Sequence, residues 1–505
     1  MDIFRKKSVT EQLQSMETQD QSHKLKANSL TWVNIAAIAM ATAIGAGIFT
    51  IGARTIATQT GPAVILSWVI AGTICFLSTI CYAELGSLVP LAGSGYNYTY
   101  TVLGEIWAWI VGANLWIEYF LAGTLVAKVW GAYYFTPFIA RLTGDPDFTL
   151  TISVAGIPVD LSPLILLSVV LALIIAGVKI TSLFNSVLVA IKVAIILFVI
   201  VVGIFFVKWS NFVPFIPEFV PAPVETVALA ENTPFGLLLG QNVGAFGLMG
   251  VLVATPSIFY AYLGFEAAAT AGEEAKDPGK NVPKGLLIGL GIITLLYIIT
   301  TLVVAGMVSQ AEWADLVAQG RPLSLSSAFD IRGLPWAGAL IDIGAIIGLA
   351  TVVLMAFYGF TRAGFAMARD GMILKFFFKT SKKRQAPVAA AVIGCGIAMI
   401  LSSLFETMLI IEPLISLTWL GAFAIICFAI PVLRKRQAAE GYVPPANAIR
   451  VPGNPALPIF AGLACIWLAS TAKLWVWIDY LILLAVFIIW YFGYARRHST
   501  MNQLK

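Results

Sequence analysis

The sequence predicts an all-α integral membrane protein. Of its 505 residues, 59% are hydrophobic and only 11% are charged, with a mean hydropathy of +0.90. Soluble domains carry about 25% charged residues. Apolar runs of about 20 residues, the length that spans a bilayer, recur along the whole chain. The first 30 residues are polar, so we expect no secretory signal ahead of the first apolar run.

Twelve apolar segments are long enough to be membrane-spanning helices. Their approximate limits are 31–53, 62–89, 105–138, 161–180, 183–208, 246–272, 284–308, 336–366, 387–405, 409–432, 456–473 and 477–494. With the N-terminus in the cytoplasm, and with residues at the ends of spans counted with the adjacent loop, 22 of the 31 lysines and arginines fall on the inside, 6 on the outside and 3 within spans. Positive residues favour the cytoplasmic side. We therefore expect both termini in the cytoplasm and an even number of spans.

The first span contains the sequence Ala43-Ile44-Gly45-Ala46-Gly47-Ile48-Phe49. Two glycines this close weaken a helix. In lipid, a broken helix is tolerated only where its backbone lines a cavity or is buried in protein. We interpret this stretch as a discontinuous helix whose amides at Ala46, Gly47 and Ile48 bind an anion at mid-membrane. The alternative is a small-residue packing face.

A second interrupted span follows five helices later, with Gly264 inside the stretch Tyr260–Glu266. Because five is odd, the second set of helices would be inverted, and paired interrupted spans in two halves are typical of a transporter site. We expect these segments: a cytoplasmic tail (1–29), a first five-helix repeat (30–208), an extracellular connection (209–245), an inverted repeat (246–433), a cytoplasmic loop (434–455), two further helices (456–494) and a cytoplasmic tail (495–505).

Lys192 lies about nine residues into the fifth span, roughly 14 Å deep. An ionisable residue at that depth is a functional candidate by default. Burial disfavours the charged form of lysine, so Lys192 could load and release a proton during transport. The alternative is a permanently charged strut that ties the fifth helix to carbonyls of the first.

Two further acids are expected to be deep, Glu118 in the third span and Glu266 just after the second interruption. Either one could contact a cationic substrate side chain. The alternative is a protonated or hydrogen-bonded carboxyl that holds helices together. Lys128 is expected near the outer end of the third span, where it can snorkel. Six charged residues are expected at cytoplasmic helix ends, as a structural network or inner gate: Glu84, Glu273, Glu274, Arg362, Arg369 and Asp370.

Several stretches, taken in order, resemble the amino acid–polyamine–organocation superfamily of transporters, and within it the bacterial permeases similar to cationic amino acid transporters. They are Ile44–Phe49, Tyr82–Leu85, Gly93–Tyr98, Trp116–Tyr119, Phe184-Asn185, Ala190–Val193, Tyr260–Glu274 with Asp277-Pro278 and Pro283, and Thr361-Arg362 with Ala368–Gly371. The resemblance runs from about residue 30 to residue 495. It implies a leucine-transporter-type fold of two inverted five-helix repeats plus two C-terminal helices.

The resemblance also implies roles for individual residues. The main chain around Ile44, Gly45, Ala46, Gly47 and Ile48 would hold a substrate carboxylate. The carbonyls of Tyr260, Ala261 and Leu263 match the positions that hold the substrate ammonium, and Glu118 remains a candidate for a cationic side chain. In related proton-coupled permeases the lysine matching Lys192 takes the place of a sodium ion. This implies proton coupling without a sodium requirement.

We therefore expect a multi-pass transporter of the cell membrane that imports α-amino acids, with a proton gradient, no cofactor and no metal. The partners expected are the amino acid, the proton and the lipid bilayer, without nucleic acid. No ATP-binding motif is present in the sequence. The alternatives are an exchanger of amino acids or amines, a membrane-embedded enzyme and a channel. Both histidines, His23 and His498, lie in polar tails, which argues against an intramembrane enzyme or haem site, and the five cysteines form no CxxC pair.

Overall fold

The structure is a computed structural model that describes most of the chain. It covers residues 4–6, 30–88, 94–145, 147–176, 182–221, 229–240, 244–266, 268, 275–374, 388–405, 408–441 and 449–500. Most of the N-terminal tail predicted for 1–29, and the acidic pair Glu273 and Glu274, lie outside the described residues.

The described chain is mostly helical. The first half contains α1 (Trp32–Ala43), α2 (Gly52–Thr55), α3 (Val64–Leu88), α4 (Ser94–Val102), α5 (Glu105–Val129), α6 (Thr136–Thr143), α7 (Ser162–Ala176) and α8 (Ser182–Gly203). The second half contains α9 (Pro234–Leu238), α10 (Gly247–Tyr260), α11 (Pro278–Met307), α12 (Gln310–Ala318), α13 (Leu325–Ile331), α14 (Pro335–Arg369), α15 (Val388–Leu404), α16 (Met408–Ala439), α17 (Ala456–Ser470), α18 (Leu474–Trp490) and α19 (Arg496–His498).

Other elements connect or continue these helices. Turns of π-helix lie at Gly47–Ile51, Ile56–Thr60, Trp130–Phe135 and Tyr491–Ala495, and short 3₁₀ turns at Gly61–Ala63, Ile204–Phe206, Trp209–Phe212 and Leu229–Glu231. Two antiparallel pairs of strands lie in loops, β1 (Thr151–Val154) with β2 (Ile157–Asp160), and β3 (Val220–Pro221) with β4 (Gly244–Ala245).

Within the described residues, seven helical stretches are long and apolar enough to cross a membrane, and five shorter apolar helices accompany them. The expectation of a largely helical, multi-pass membrane protein is therefore confirmed. The count of twelve spans and the inverted repeat stay predictions, because the broken first span and the gaps between described residues leave some helices short.

The long helices form two groups that face each other. One group, here called the bundle, contains α1, α3, α10 and α11, with α11 packed against both α1 and α3. The other, the support layer, contains α5, α7, α14 and α15, in which α5 packs on α14 and α7 on α15. α8 contacts α1 and α14, so it joins the two groups, and α16 joins them through α10 and α5.

Both ends of the described chain meet at Glu105, the first residue of α5. This side chain is fully buried and accepts hydrogen bonds from Arg5 (3.2 Å), Tyr100 (3.1 Å), Tyr491 (3.2 Å) and Ser499 (3.0 Å). The backbone N–H of Glu105 donates to the carbonyl of Arg5 at 2.9 Å. We call this end of the molecule the terminal face and the opposite end the loop face.

At the loop face, an arginine near the end of α6 links α6 to α13 and α14. The guanidinium of Arg141 forms two hydrogen bonds with Asp330 of α13, at 2.6 and 2.5 Å, and its Nε donates to Asp342 of α14 at 2.9 Å. Bidentate contacts of this kind are among the stronger ion pairs. The loop between α11 and α14 is thereby anchored to the support layer.

The same loop touches the first span. Its helix α12 begins with a capping box, in which Ser309 N–H and hydroxyl both donate to the Glu312 carboxylate at 2.8 Å. Burial alone would raise the pKa of Glu312, but these hydrogen bonds and an ion pair with Arg332 hold that pKa below its usual range. Gln310 donates to the carbonyl of Ala57 at 2.7 Å.

Candidate functional site

The first span is broken where the paired glycines predicted it. Helix α1 ends at Ala43, Ile44 is extended (φ −70, ψ 94), and helical structure resumes with the π turn that begins at Gly47. The first N–H groups of a helix have no partner within it. The amides of Ala46, Gly47 and Ile48 therefore begin the second half-helix, in the buried interior of the protein.

The sixth predicted span is broken as well. Helix α10 ends at Tyr260, and Ala261–Gly264 form turns, with Gly264 at φ +91. This left-handed conformation is one that glycine adopts readily. The carbonyl of Tyr260 accepts the N–H of Leu263 at 3.0 Å, which uses one of its two lone pairs.

The structure brings the two breaks into direct contact. A Cβ atom added to Gly47 would lie 2.2 Å from the Cβ of Ala261 and 2.4 Å from its Cα, so the two backbones meet without space for a side chain at residue 47. The hydroxyl of Thr42 donates to the carbonyl of Gly264 at 2.6 Å. The main-chain groups of residues 44–48 and 260–263 thus lie next to each other in the buried interior.

Two other helices and the turn after α10 hold the end of α1. Lys192 Nζ of α8 donates to the carbonyl of Ala41 at 2.7 Å, and the hydroxyl of Tyr297 of α11 donates to the carbonyl of Ala43 at 2.7 Å. The last carbonyls of a helix lack partners within it. Together with the Thr42 hydrogen bond, these contacts fix three consecutive residues at the break.

Lys192 is buried between the bundle and the support layer. It is 1% exposed, and its methylene stem lies against Gly348 of α14, where an added Cβ would be 3.4 Å from Cγ and Cε. Its partner in α1, the carbonyl of Ala41, is neutral. An amine held this way can bind a carbonyl either as an ammonium or as a neutral amine, so a proton can leave without removing every hydrogen bond.

Two buried carboxyls lie next to the second break. Glu118 and Glu266 are both 0% exposed and interact electrostatically. Oε2 of Glu266 accepts the N–H of Gly264 at 3.1 Å, whereas its Oε1 and both oxygens of Glu118 have no hydrogen-bond partner among the described residues. A buried carboxylate without donors is costly. The pair therefore fits a site that receives a proton or a cationic group.

Ion pairs lie on both sides of the breaks. Toward the loop face, Arg54 of α2 forms a 2.6 Å ion pair with Glu412 of α16, whose side chain is 1% exposed. Toward the terminal face, Arg434 of α16 forms two hydrogen bonds with Glu84 of α3, at 2.9 and 2.6 Å. Helix α16 thus carries one ion pair on each side of the breaks.

Lys128 and the five cysteines fall outside this centre. Lys128 forms a 3.0 Å ion pair with Asp160 at the end of β2. The rings of Phe259 and Tyr262 pack in aromatic clusters, Phe259 against Trp419 and Tyr262 against Trp68. All five cysteines are buried as free thiols.

Sequence reasoning missed several residues that the structure places at the breaks. Thr42 and Tyr297 bind carbonyls there, but threonine and tyrosine are ordinary residues of apolar helices, and no spacing pattern marks them. Arg54 and Glu412 are 358 residues apart, so their pairing could not be read from local sequence. The only sequence feature that marks Arg54 and Glu412 is that each is a charged residue at the edge of an apolar segment.

Comparisons with known proteins identify relatives along almost the whole chain. The family model for amino acid permeases matches residues 30–503. The methylthioribose transporter of Bacillus subtilis (strain 168) is 34% identical over 513 residues, covering 99% of each chain. The branched-chain amino acid permease BcaP of the same organism is 31% identical, again over 99% of each chain. The vacuolar cationic amino acid transporter 4 of Arabidopsis thaliana is 31% identical, covering 84% of this chain and 65% of its own.

Proposed function

This chain belongs to the amino acid permease family, and we propose from that premise that it imports α-amino acids by proton symport with alternating access. The relatives reported above are transporters and permeases, so transport is favoured over catalysis. The observation that carries the proposal is the contact between Lys192 and the carbonyl of Ala41, at the end of the broken first span.

We assign substrate binding to the two breaks. The amides at 46–48 begin a half-helix whose dipole attracts a carboxylate, and the turn at 260–263 offers carbonyls for an ammonium. Such a clamp recognises the part that all α-amino acids share. Because Gly47 and Ala261 are in contact, the substrate enters only when the breaks separate.

Proton coupling in this proposal runs through Lys192. A protonated Lys192 holds the carbonyl of Ala41 by a charge-assisted hydrogen bond, which is about twice as strong as a neutral one. Loss of the proton weakens the link between α8 and α1. The position of α1, and with it the substrate clamp, then depends on the protonation of one amine.

Alternating access uses the two helix groups. The bundle moves against the support layer, opening first one ion pair and then the other. Separation of Arg54 from Glu412 opens the loop face, and separation of Glu84 from Arg434 opens the terminal face. The lysine and arginine bias supports a cytoplasmic terminal face, in the cell membrane.

The test is uptake of radiolabelled substrates into proteoliposomes with an imposed pH gradient, with and without sodium. The panel contains neutral, branched-chain and cationic amino acids, together with methylthioribose because one relative is named for it. Wild type is compared with Lys192→Ala. Lys128→Ala is the matched control, because Lys128 also lies in a span but pairs with Asp160 at the end of β2.

We expect uptake that follows the pH gradient, ignores sodium, is lost in Lys192→Ala and persists in Lys128→Ala. Uptake that requires internal amino acid and ignores the pH gradient would instead identify an exchanger, with Lys192 as a strut. Transport of methylthioribose alone would refute the assignment of the breaks to an α-amino acid, because that sugar has neither a carboxylate nor an ammonium.

A further inference from the structure

The loop between α6 and α7 contains a hairpin with two chemically different faces. Its strands pair Thr151 with Asp160, Ile152 with Val159, Ser153 with Pro158, and Val154 with Ile157. Side chains alternate along a strand, and directly paired residues share a face. One face therefore carries only Ile152, Val154, Ile157 and Val159, and the other carries Thr151, Ser153, Pro158 and Asp160.

The apolar face of this hairpin is uncovered at three of its four residues, and Val159 is half-buried. Ile152 is 47% exposed, Val154 52% and Ile157 54%. A two-stranded hairpin is marginally stable in water and is normally held by packing of an apolar face. Here strand β2 packs against α15, but the shared apolar face remains available to a partner.

Contacts at the base of the hairpin fix its height in the membrane. The carboxylate of Asp160 accepts hydrogen bonds from Lys128 Nζ and from the N–H of Ser162, both at 3.0 Å. Strand β2 therefore ends beside α5 and the start of α7. Lys128 lies 23 residues after Glu105, a rise of about 35 Å along an α-helix. A bilayer hydrocarbon core is about 30 Å thick. With Glu105 at the terminal face, the hairpin starts at the membrane interface of the loop face.

The neighbouring helices present apolar side chains outward at and below this height. In α7, which follows the hairpin directly, Ile165 is 44% exposed and Val169 52%. At the loop-face end of α15, Ile400 and Phe405 are each 56% exposed. These side chains belong to the lipid-facing surface of a multi-pass membrane protein, and the hairpin adjoins that surface.

We propose that the β1–β2 hairpin lies in the membrane interface of the loop face, with its apolar face docked onto lipid. Amphipathic segments bind bilayers in this way, burying one face at the boundary of headgroups and acyl chains. Unpaired strand edges are not tolerated in the hydrocarbon core, so the hairpin stays at interfacial depth, where water and headgroups satisfy its edges. Its polar face, with Ser153, is directed to water.

The experiment compares single cysteines on the two faces. Val154→Cys and Ile157→Cys report the apolar face, and Ser153→Cys is the matched control on the polar face. Each variant is labelled with an environment-sensitive fluorophore and reconstituted in vesicles of phosphatidylethanolamine and phosphatidylglycerol. The five native cysteines are buried, so unmodified protein gives the background labelling. Quenching is measured with lipids spin-labelled near the headgroup and with aqueous iodide.

We expect lipid quenching to be several-fold stronger at residues 154 and 157 than at residue 153, with the opposite order for iodide. Equal iodide quenching on both faces would overturn the proposal, since the apolar face would then be in water. Shielding of residue 154 from both quenchers, with disulfides between copies at that position, would also overturn it in favour of a protein interface. Retained transport of each variant confirms that the labelled protein is folded.

Discussion

The contact between the two broken helices makes a direct prediction about Gly47→Ala. The added methyl would lie 2.2 Å from the Cβ of Ala261 and 2.4 Å from its Cα. Carbon atoms normally approach to about 3.5–4.0 Å, so the two breaks must separate by about 1.5 Å. The obstacle includes backbone, which cannot rotate away as a side chain could.

The expected size of the effect follows from this overlap. Forcing extra atoms into a packed interior costs about 1–3 kcal/mol, and each 1.4 kcal/mol corresponds to about a factor of ten. If the transport cycle passes through the state in which the two breaks touch, we expect Gly47→Ala to reduce the initial rate of uptake by roughly ten- to a hundredfold.

The assay is initial uptake in proteoliposomes, normalised to the amount of reconstituted protein, alongside thermal unfolding in detergent. Gly291→Ala in α11 and Gly396→Ala in α15 are matched controls, because an added Cβ meets nothing within 4 Å at either position. Both should transport like wild type. The double variant Gly47→Ala with Ala261→Gly should regain only part of the activity, since the Cα of residue 261 stays in the way.

Wild-type uptake by Gly47→Ala would refute the reasoning, because the two breaks could not then meet as closely as described during transport. Loss of folding in Gly47→Ala, with no recovery in the double variant, would show that the contact supports the fold and not the transport cycle.

Three further outcomes follow from contacts near the breaks and at the loop face. Thr42→Val removes the hydrogen bond to the carbonyl of Gly264, at a cost of about 1–3 kcal/mol. We therefore expect a higher KM for uptake in Thr42→Val and a KM near that of wild type in Thr42→Ser. Arg54→Gln leaves the buried carboxylate of Glu412 uncompensated, which should lower the unfolding temperature, whereas Arg54→Gln combined with Glu412→Gln should recover much of it. The pKa of Glu312 is below its usual range, so the ionised form contributes stability above the ordinary glutamate pKa of about 4.3, and that stability is lost as the pH falls through the lowered value. The protection factors of the α12 amides in hydrogen exchange should therefore fall in acid in wild type, and Glu312→Gln should remove this pH dependence.

Sequence alone located the first break and Lys192 because each violates the rule for an apolar span. Two glycines interrupt good helix formers, and one charge stands in a run of apolar residues. Such exceptions can be recognised in the sequence without knowing which residues contact them in the folded protein. The closing contacts were not visible, because Arg54 and Glu412, like Thr42 and Gly264, meet only after the chain has folded.

Helix ends were predicted less well for a related reason. The tenth span was expected to end near residue 432, but α16 continues to Ala439 through Arg434-Lys435-Arg436. Hydropathy falls at these charges, whereas the backbone hydrogen bonds of the helix continue past them. The segment expected as a loop at 434–455 thus begins as helix. In the connection 209–245, the described residues form the short helix α9, 3₁₀ turns and the strands β3 and β4.

The buried carboxylate of Glu105 has a consequence for the order in which the molecule is assembled. Ribosomes make Arg5 early and Ser499 nearly five hundred residues later, yet both bind this one side chain. Until the C-terminal helices have been inserted, Glu105 lacks the hydroxyls of Tyr491 and Ser499. In a chain truncated before these residues, Glu105 lacks two of its hydrogen-bond donors. A truncated protein therefore differs from the full-length protein in the structure of the terminal face.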